Sequence, residues 1–141
     1  MKTVLHYECP SCPSEMAAVR ARMRESASAV GFDEETVNRL VLAVDEACTN
    51  IIRHAYEGHQ SGKIEMNVIT NDKVWEVHLR DYGKKCDPST LKWRDLDQVR
   101  PGGLGLFFIN KAFDEVLFDQ TKKQGTCLIL RKKHQKQKVR K

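Results

Sequence analysis

Hydrophobic and polar residues alternate from residue 2 to residue 9. Leu5, Tyr7 and Cys9 fall on one side and Val4, His6 and Glu8 on the other, and this two-residue period predicts a first strand. The Cys9-Pro10-Ser11-Cys12-Pro13 stretch breaks the alternation. The period then lengthens: Met16, Val19, Met23 and Ala27 form one stripe of a helix, with Ser14 as its expected cap and Gly31 as its stop. A second helix is predicted beyond Asp33, a capping residue followed by Glu34 and Glu35, where the helix dipole favours acids. Its stripe of Val37, Leu40, Val41, Val44, Cys48, Ile51, Ile52 and Ala55 carries it to about Tyr56, short of Gly58.

Two alternating runs, 63–70 and 73–81, predict a hairpin turned at Asn71-Asp72. Residues 82–101 have no clear period beyond about one helical turn at 91–96, and a loop of that length in a compact domain is usually functional. Gly102-Gly103-Leu104-Gly105 then leads into a short apolar helix over 106–112. Two last strands, 115–119 and 126–131, meet through Lys123-Gln124-Gly125. This order implies an α/β sandwich: a mixed, largely antiparallel sheet with helices on one face.

The length of 141 residues suits one domain. No apolar run approaches the roughly 18 residues of a membrane span, and residues 1–8 lack the pattern of a secretory signal, so a cytoplasmic protein is expected. Five scattered cysteines then imply reduced thiols rather than a disulfide framework. Cys9 and Cys12 have redox or half-zinc spacing but no second ligand pair, which favours unpaired thiols at a strand end.

Charge is unevenly placed. Residues 131–141 carry seven Lys or Arg and no acid; without them the net +5 becomes −2, with 17 basic residues against 19 acidic. The body is mildly acidic, so residues 1–132 are expected to be the domain and 133–141 a basic tail. That tail lacks interleaved aromatics, which points away from sequence-specific nucleic-acid binding.

Three groups of residues carry candidate chemistry. On the second helix Glu46 and Asn50 lie one turn apart, beside the small Ala43 and Ala47. The pair suits a Mg²⁺-nucleotide site, the amide oxygen on the cation and the carboxylate as a base, although a Glu and an Asn on a helix face are, taken alone, more often simply solvated. Asp81 ends a strand whose inward set is Trp75, Val77 and Leu79, so the period carries its carboxylate onto the buried face. Such an acid needs a donor: the amino group of adenine, approached closely past Gly83, or the loop's own amides. Gly103, Leu104 and Gly105 open a helix where backbone amides can hold phosphate, and Arg100 is the nearest of the preceding cations.

Taken in order, Asp45-Glu46-Ala47-Cys48-Thr49-Asn50 through Arg53-His54-Ala55-Tyr56, then Asp81-Tyr82-Gly83, then Gly103-Leu104-Gly105, resemble the N, G1 and G2 boxes of the GHKL ATPase superfamily, and in particular the anti-sigma-factor serine/threonine kinases. The resemblance spans about residues 3–131 and implies a Bergerat-type fold that binds ATP with Mg²⁺. Carried over by motif, Asn50 would hold the metal and Glu46 would activate the acceptor hydroxyl. Asp81 would read adenine, Gly83, Arg100, Gly103, Leu104 and Gly105 would close on the nucleotide, and Thr126 of Gly125-Thr126 would join the pocket. It implies a homodimer whose substrate is an anti-anti-sigma (STAS-type) protein and whose other client is a sigma factor, with Arg20 toward a partner. An ATP-gated partner-binding module without transfer activity shares these boxes. A sensor histidine kinase would need a phosphoacceptor hairpin ahead of them, where only one helix is predicted.

Overall fold

The computed structural model describes residues 1–85 and 103–135, with the backbone alone for 103–107. Five strands form one sheet: β1 (Lys2–Pro10), β2 (Lys63–Thr70), β3 (Val74–Asp81), β4 (Glu115–Asp119) and β5 (Cys127–Lys133). Their spatial order is β1-β2-β3-β5-β4 and every described pairing is antiparallel. Helices α1 (Met16–Ala29), α2 (Glu34–Asn50) and α3 (Gly103–Ala112) supply the second layer of the expected sandwich.

Alternation decides what each strand buries. Ile64, Met66 and Val68 of β2, Trp75, Val77 and Leu79 of β3, and Leu128 and Leu130 of β5 are all buried with the helices' apolar stripes. On α1 the buried residues are Met16, Val19, Met23 and Ala27, the predicted stripe. Trp75 is the centre of this layer, edge-on to Phe32 and stacked with Phe113 at centroid distances of 5.5 and 6.4 Å.

Asp33 caps α2 as expected, its carboxylate accepting the Thr36 amide at 2.8 Å. Ser14 does not cap α1. Pro13 starts a 3-10 turn, Pro13–Glu15, that feeds the helix directly, and the Ser14 hydroxyl lies 3.0 Å from the Cys12 sulfur instead. The second helix reaches the predicted end near Tyr56, but its last turn, Ile51–Ala55, is π-helical. Gly31 and Gly58, at φ of 92° and 83°, take the left-handed backbone that stops each helix.

The C-terminal boundary lies later than expected. Lys133 still belongs to β5, and the two residues after it are docked. The His134 ring stacks on Phe32 and contacts Thr70 Oγ1 at 2.9 Å, while the Gln135 amide accepts the Asp33 N–H at 2.9 Å and donates to Asp33 and Thr36. The expected start of the tail at 133 is corrected on this ground: 133–135 are part of the body.

Candidate nucleotide site

The site is built where α2 ends. Glu46 and Asn50 project from one side of its last two turns, both partly buried. Ala43 and Ala47, the small residues beside them, are fully buried in the core. The Asn50 Oδ1 atom is buried and receives no hydrogen bond from the described residues. Buried amide oxygens are rarely left without a donor, because desolvation then goes uncompensated. An oxygen with two open lone pairs suits a hard cation, so the residues present fit a Mg²⁺ ion.

Beyond Asn50 the helix widens into the π turn, the kind of single-turn irregularity that collects at functional sites. The Tyr56 amide reaches back five residues to the Ile51 carbonyl at 3.1 Å. The Ala55 carbonyl instead accepts the Lys84 amide at 2.7 Å, which ties the helix end to the segment after β3. Gly83 is required there: a β-carbon would stand 2.3 Å from the Ala55 oxygen.

Asp81 lies on the buried face, only 3% exposed, as its period required. Its Oδ1 accepts the Gly83 amide at 3.0 Å, so the loop-capping role foreseen as an alternative is realised. Burial pushes its pKa up, and the Gly83 and Thr126 backbone amides pull it only partly back. The Asp81 amide in turn donates to the Thr126 carbonyl at 2.9 Å, which sets Thr126, itself buried, beside the acid. Gly125 reads from the sequence as a turn residue beside Thr126, without a packing role of its own. At φ 76° and with a β-carbon position 2.0 Å from the Asp81 carbonyl oxygen, no other side chain fits.

Thus Asn50, Asp81, Gly83 and Thr126 belong to one connected end of the molecule, joined through Ala55 and the β3–β5 ladder. Gly103, Leu104 and Gly105 form the first turn of α3 rather than a loop ahead of it, since the helix starts at Gly103 and not near residue 106. The backbone amides of a first turn still lack intrahelical partners, so their anion-binding capacity is retained. Arg100 lies outside the described residues. Arg20 projects from α1 and bonds Asp45 at 2.8 Å, next in sequence to Glu46.

Among the described residues no cluster of three or more His, Cys, Asp or Glu side chains could hold a metal, and Cys9, Cys12, Cys48 and Cys127 are free thiols. The Cys-Pro-Ser-Cys stretch serves a different end. Ser11 is buried, donates to the His59 carbonyl at 2.6 Å and accepts the Gly62 amide at 3.0 Å, clamping the connection between α2 and β2. Also among the described residues, no helix is long and apolar enough to cross a membrane.

Comparison with known proteins agrees with this geometry. The profile of the histidine kinase-like ATPase domain matches residues 9–132. The serine-protein kinase RsbW of Listeria monocytogenes is 32% identical over 124 residues, covering 82% of this chain and 79% of the relative. RsbW of Bacillus velezensis is 31% identical over 128 residues, with the same two coverages. In fold, the chain is similar to the crystal structure of the RsbU and RsbW domains of a Mycobacterium tuberculosis protein, with a TM-score of 0.65, 21% identity, and coverage of 91% of this chain and 31% of that one. With Asn50, Asp81, Gly83 and Thr126 joined at one end of an antiparallel sheet and these relatives matched over most of their length, the chain belongs to the histidine kinase-like ATPase family and, within it, to the RsbW serine-protein kinases.

Proposed function

We propose that this chain is an ATP-dependent serine/threonine protein kinase that phosphorylates a small anti-anti-sigma protein of STAS type and holds a sigma factor inactive. One observation carries the reading most directly: the buried Asn50 Oδ1, with no donor among the described residues, one helical turn from Glu46. Asn50 would be the protein's ligand to Mg²⁺, which supplies charge neutralisation on the transferring phosphate when bound.

The remaining work falls to this chain's side chains and backbone. Asp81 accepts a hydrogen bond from the adenine amino group, and Gly83 lets the backbone close on the ring. Gly103, Leu104 and Gly105 present first-turn amides to the phosphates, with Arg100 and Thr126 completing the pocket. Glu46 takes the proton of the acceptor hydroxyl as the new oxygen–phosphorus bond forms. The bond from the γ-phosphorus to the β–γ bridging oxygen breaks, and ADP leaves. Arg20, held by Asp45 with 45% of its side chain exposed, is suited to meet a partner close to that carboxylate. A homodimer in the cytoplasm completes the reading.

The test is transfer of labelled γ-phosphate from Mg·ATP to a purified STAS-type protein. Transfer lost in Glu46→Gln with ATP still bound supports a kinase with Glu46 as base. ATP binding without transfer in the wild type turns the reading into an ATP-gated binding module, and absence of ATP binding overturns it.

A further inference from the structure

The β2–β3 ladder ends, at the site, with the pair Ile64 and Asp81. The next pair would be Lys63 with Tyr82, and both residues have their backbone groups aimed for it, but they do not bond each other. The Tyr56 hydroxyl stands between them. It accepts the Tyr82 amide at 2.8 Å and donates to the Lys63 carbonyl at 2.5 Å, two bonds in series where a ladder would have one of about 2.9 Å. It also accepts the Lys63 amide at 3.2 Å, so its one donor and both lone pairs are used. Burial raises the Tyr56 pKa, which keeps the phenol protonated and able to donate.

Directly beyond this insertion the chain turns out of the sheet. Gly83 folds its amide back onto Asp81 and Lys84 reaches Ala55. The ring that carries the hydroxyl is fixed as well: a β-carbon on Gly62 would come within 2.4 Å of it, and Ser11 holds the Gly62 amide from the other side.

We propose that Tyr56 is a positioning residue for the adenine end of the nucleotide site, its hydroxyl replacing the Lys63–Tyr82 backbone pair and so fixing where the Asp81-Tyr82-Gly83 turn leaves the sheet. The proposal rests on the reading of Asp81 as the adenine acceptor. Without the hydroxyl, the Tyr82 amide and Lys63 carbonyl lose their partner, and the least costly remedy is for the ladder to close by one more pair. That closure draws the turn toward the sheet and moves the Asp81 carboxylate, while Glu46 and Asn50 on α2 stay where they are.

The test uses the full chain with Tyr56→Phe, titrated with Mg·ATP and with Mg·GTP by calorimetry and followed by thermal melting and single-turnover transfer. The hydroxyl's loss should weaken ATP binding about tenfold and narrow the preference for ATP over GTP by a similar factor, with transfer from bound ATP within about twofold of wild type. Gly62→Ala, which keeps the phenol but pushes its ring, and the hydroxyl with it, off this position, should shift both affinities the same way, and it carries the test if Tyr56→Phe does not fold. A lower melting temperature with wild-type affinity and wild-type ATP preference in the folded variants overturns the proposal and leaves Tyr56 a fold residue. Wild-type protein that binds ATP and GTP equally would instead overturn the adenine reading of Asp81 and the proposal with it.

Discussion

The Ala55 carbonyl and the Lys84 amide, 2.7 Å apart, join the end of the second helix to the segment that follows β3. Everything between β3 and that bond must fit beneath the Ala55 oxygen, and Gly83 fits only because it has no side chain. Gly83→Ala should therefore break the bond or tilt the turn. Overpacking of this kind costs about 1–3 kcal/mol, and ATP affinity should fall about tenfold or more for a comparable loss at the site. Urea unfolding and calorimetric titration of the variant measure the two effects, and wild-type values for both would refute the close contact.

Asn50 makes an opposite prediction about stability. Its buried amide oxygen has no donor among the described residues, so the folded protein bears a desolvation cost that a bound cation would relieve. Asn50→Ala should leave the ligand-free protein as stable as the wild type or more stable by up to about 1 kcal/mol, while Mg²⁺ no longer increases ATP affinity. Melting curves with and without Mg·ATP separate these, and a strongly destabilised ligand-free variant would show that Asn50 serves the fold.

Asp81 should set a pH dependence whose sign is fixed by burial. Its folded-state pKa is raised above that of an unfolded aspartate, so the native state binds the extra proton more readily. The group's favourable contribution is thus fully present below the unfolded value of about 3.9 and is lost as pH rises through the folded value. Asp81→Asn should be more stable than the wild type at pH 7 without ligand, the gain shrinking as the pH falls toward 4, and it should no longer prefer ATP to GTP. A stability gain that grows on acidification would contradict this assignment.

The docked C-terminal residues give a fourth prediction. A chain ending at Gln135 should melt with the full-length protein, whereas one ending at Lys133 loses the His134 stacking on Phe32 and the Gln135 bonds to Asp33 and Thr36. The second truncation should cost about 1–2 kcal/mol, as for a lost helix cap. Equal stability of the two truncations would mean those bonds contribute nothing net.

Periodicity carried most of the fold. The bounds of β2 and β4, the buried stripe of α1, the Asp33 cap and the inward Asp81 all follow from local pattern, because each depends on which face of an element meets the core. What pattern could not convey were bonds between distant residues. Ser14 looks like a cap until Pro13 commits the backbone to a 3-10 turn, and Gln135 looks like tail until it is seen 102 positions away at Asp33. The roles of Ser11, Tyr56 and Gly125 are of the same kind. Tyr56 follows a box motif but shows no periodic reason for its hydroxyl, and Gly125 reads as an ordinary turn glycine until Asp81 is packed against it.

The 17-residue α2 is about 25 Å long at 1.5 Å per residue, and it is fastened at both extremities, by Gln135 at Asp33 and by the Ala55–Lys84 bond just past Asn50. It behaves as a beam pinned at each end, and Glu46 and Asn50 travel together or not at all. Under the proposed mechanism a protein substrate arriving at such a beam would meet a fixed anvil, so the distance from Glu46 to its acceptor oxygen would be adjusted by how the incoming chain seats itself rather than by yielding of the helix beneath it.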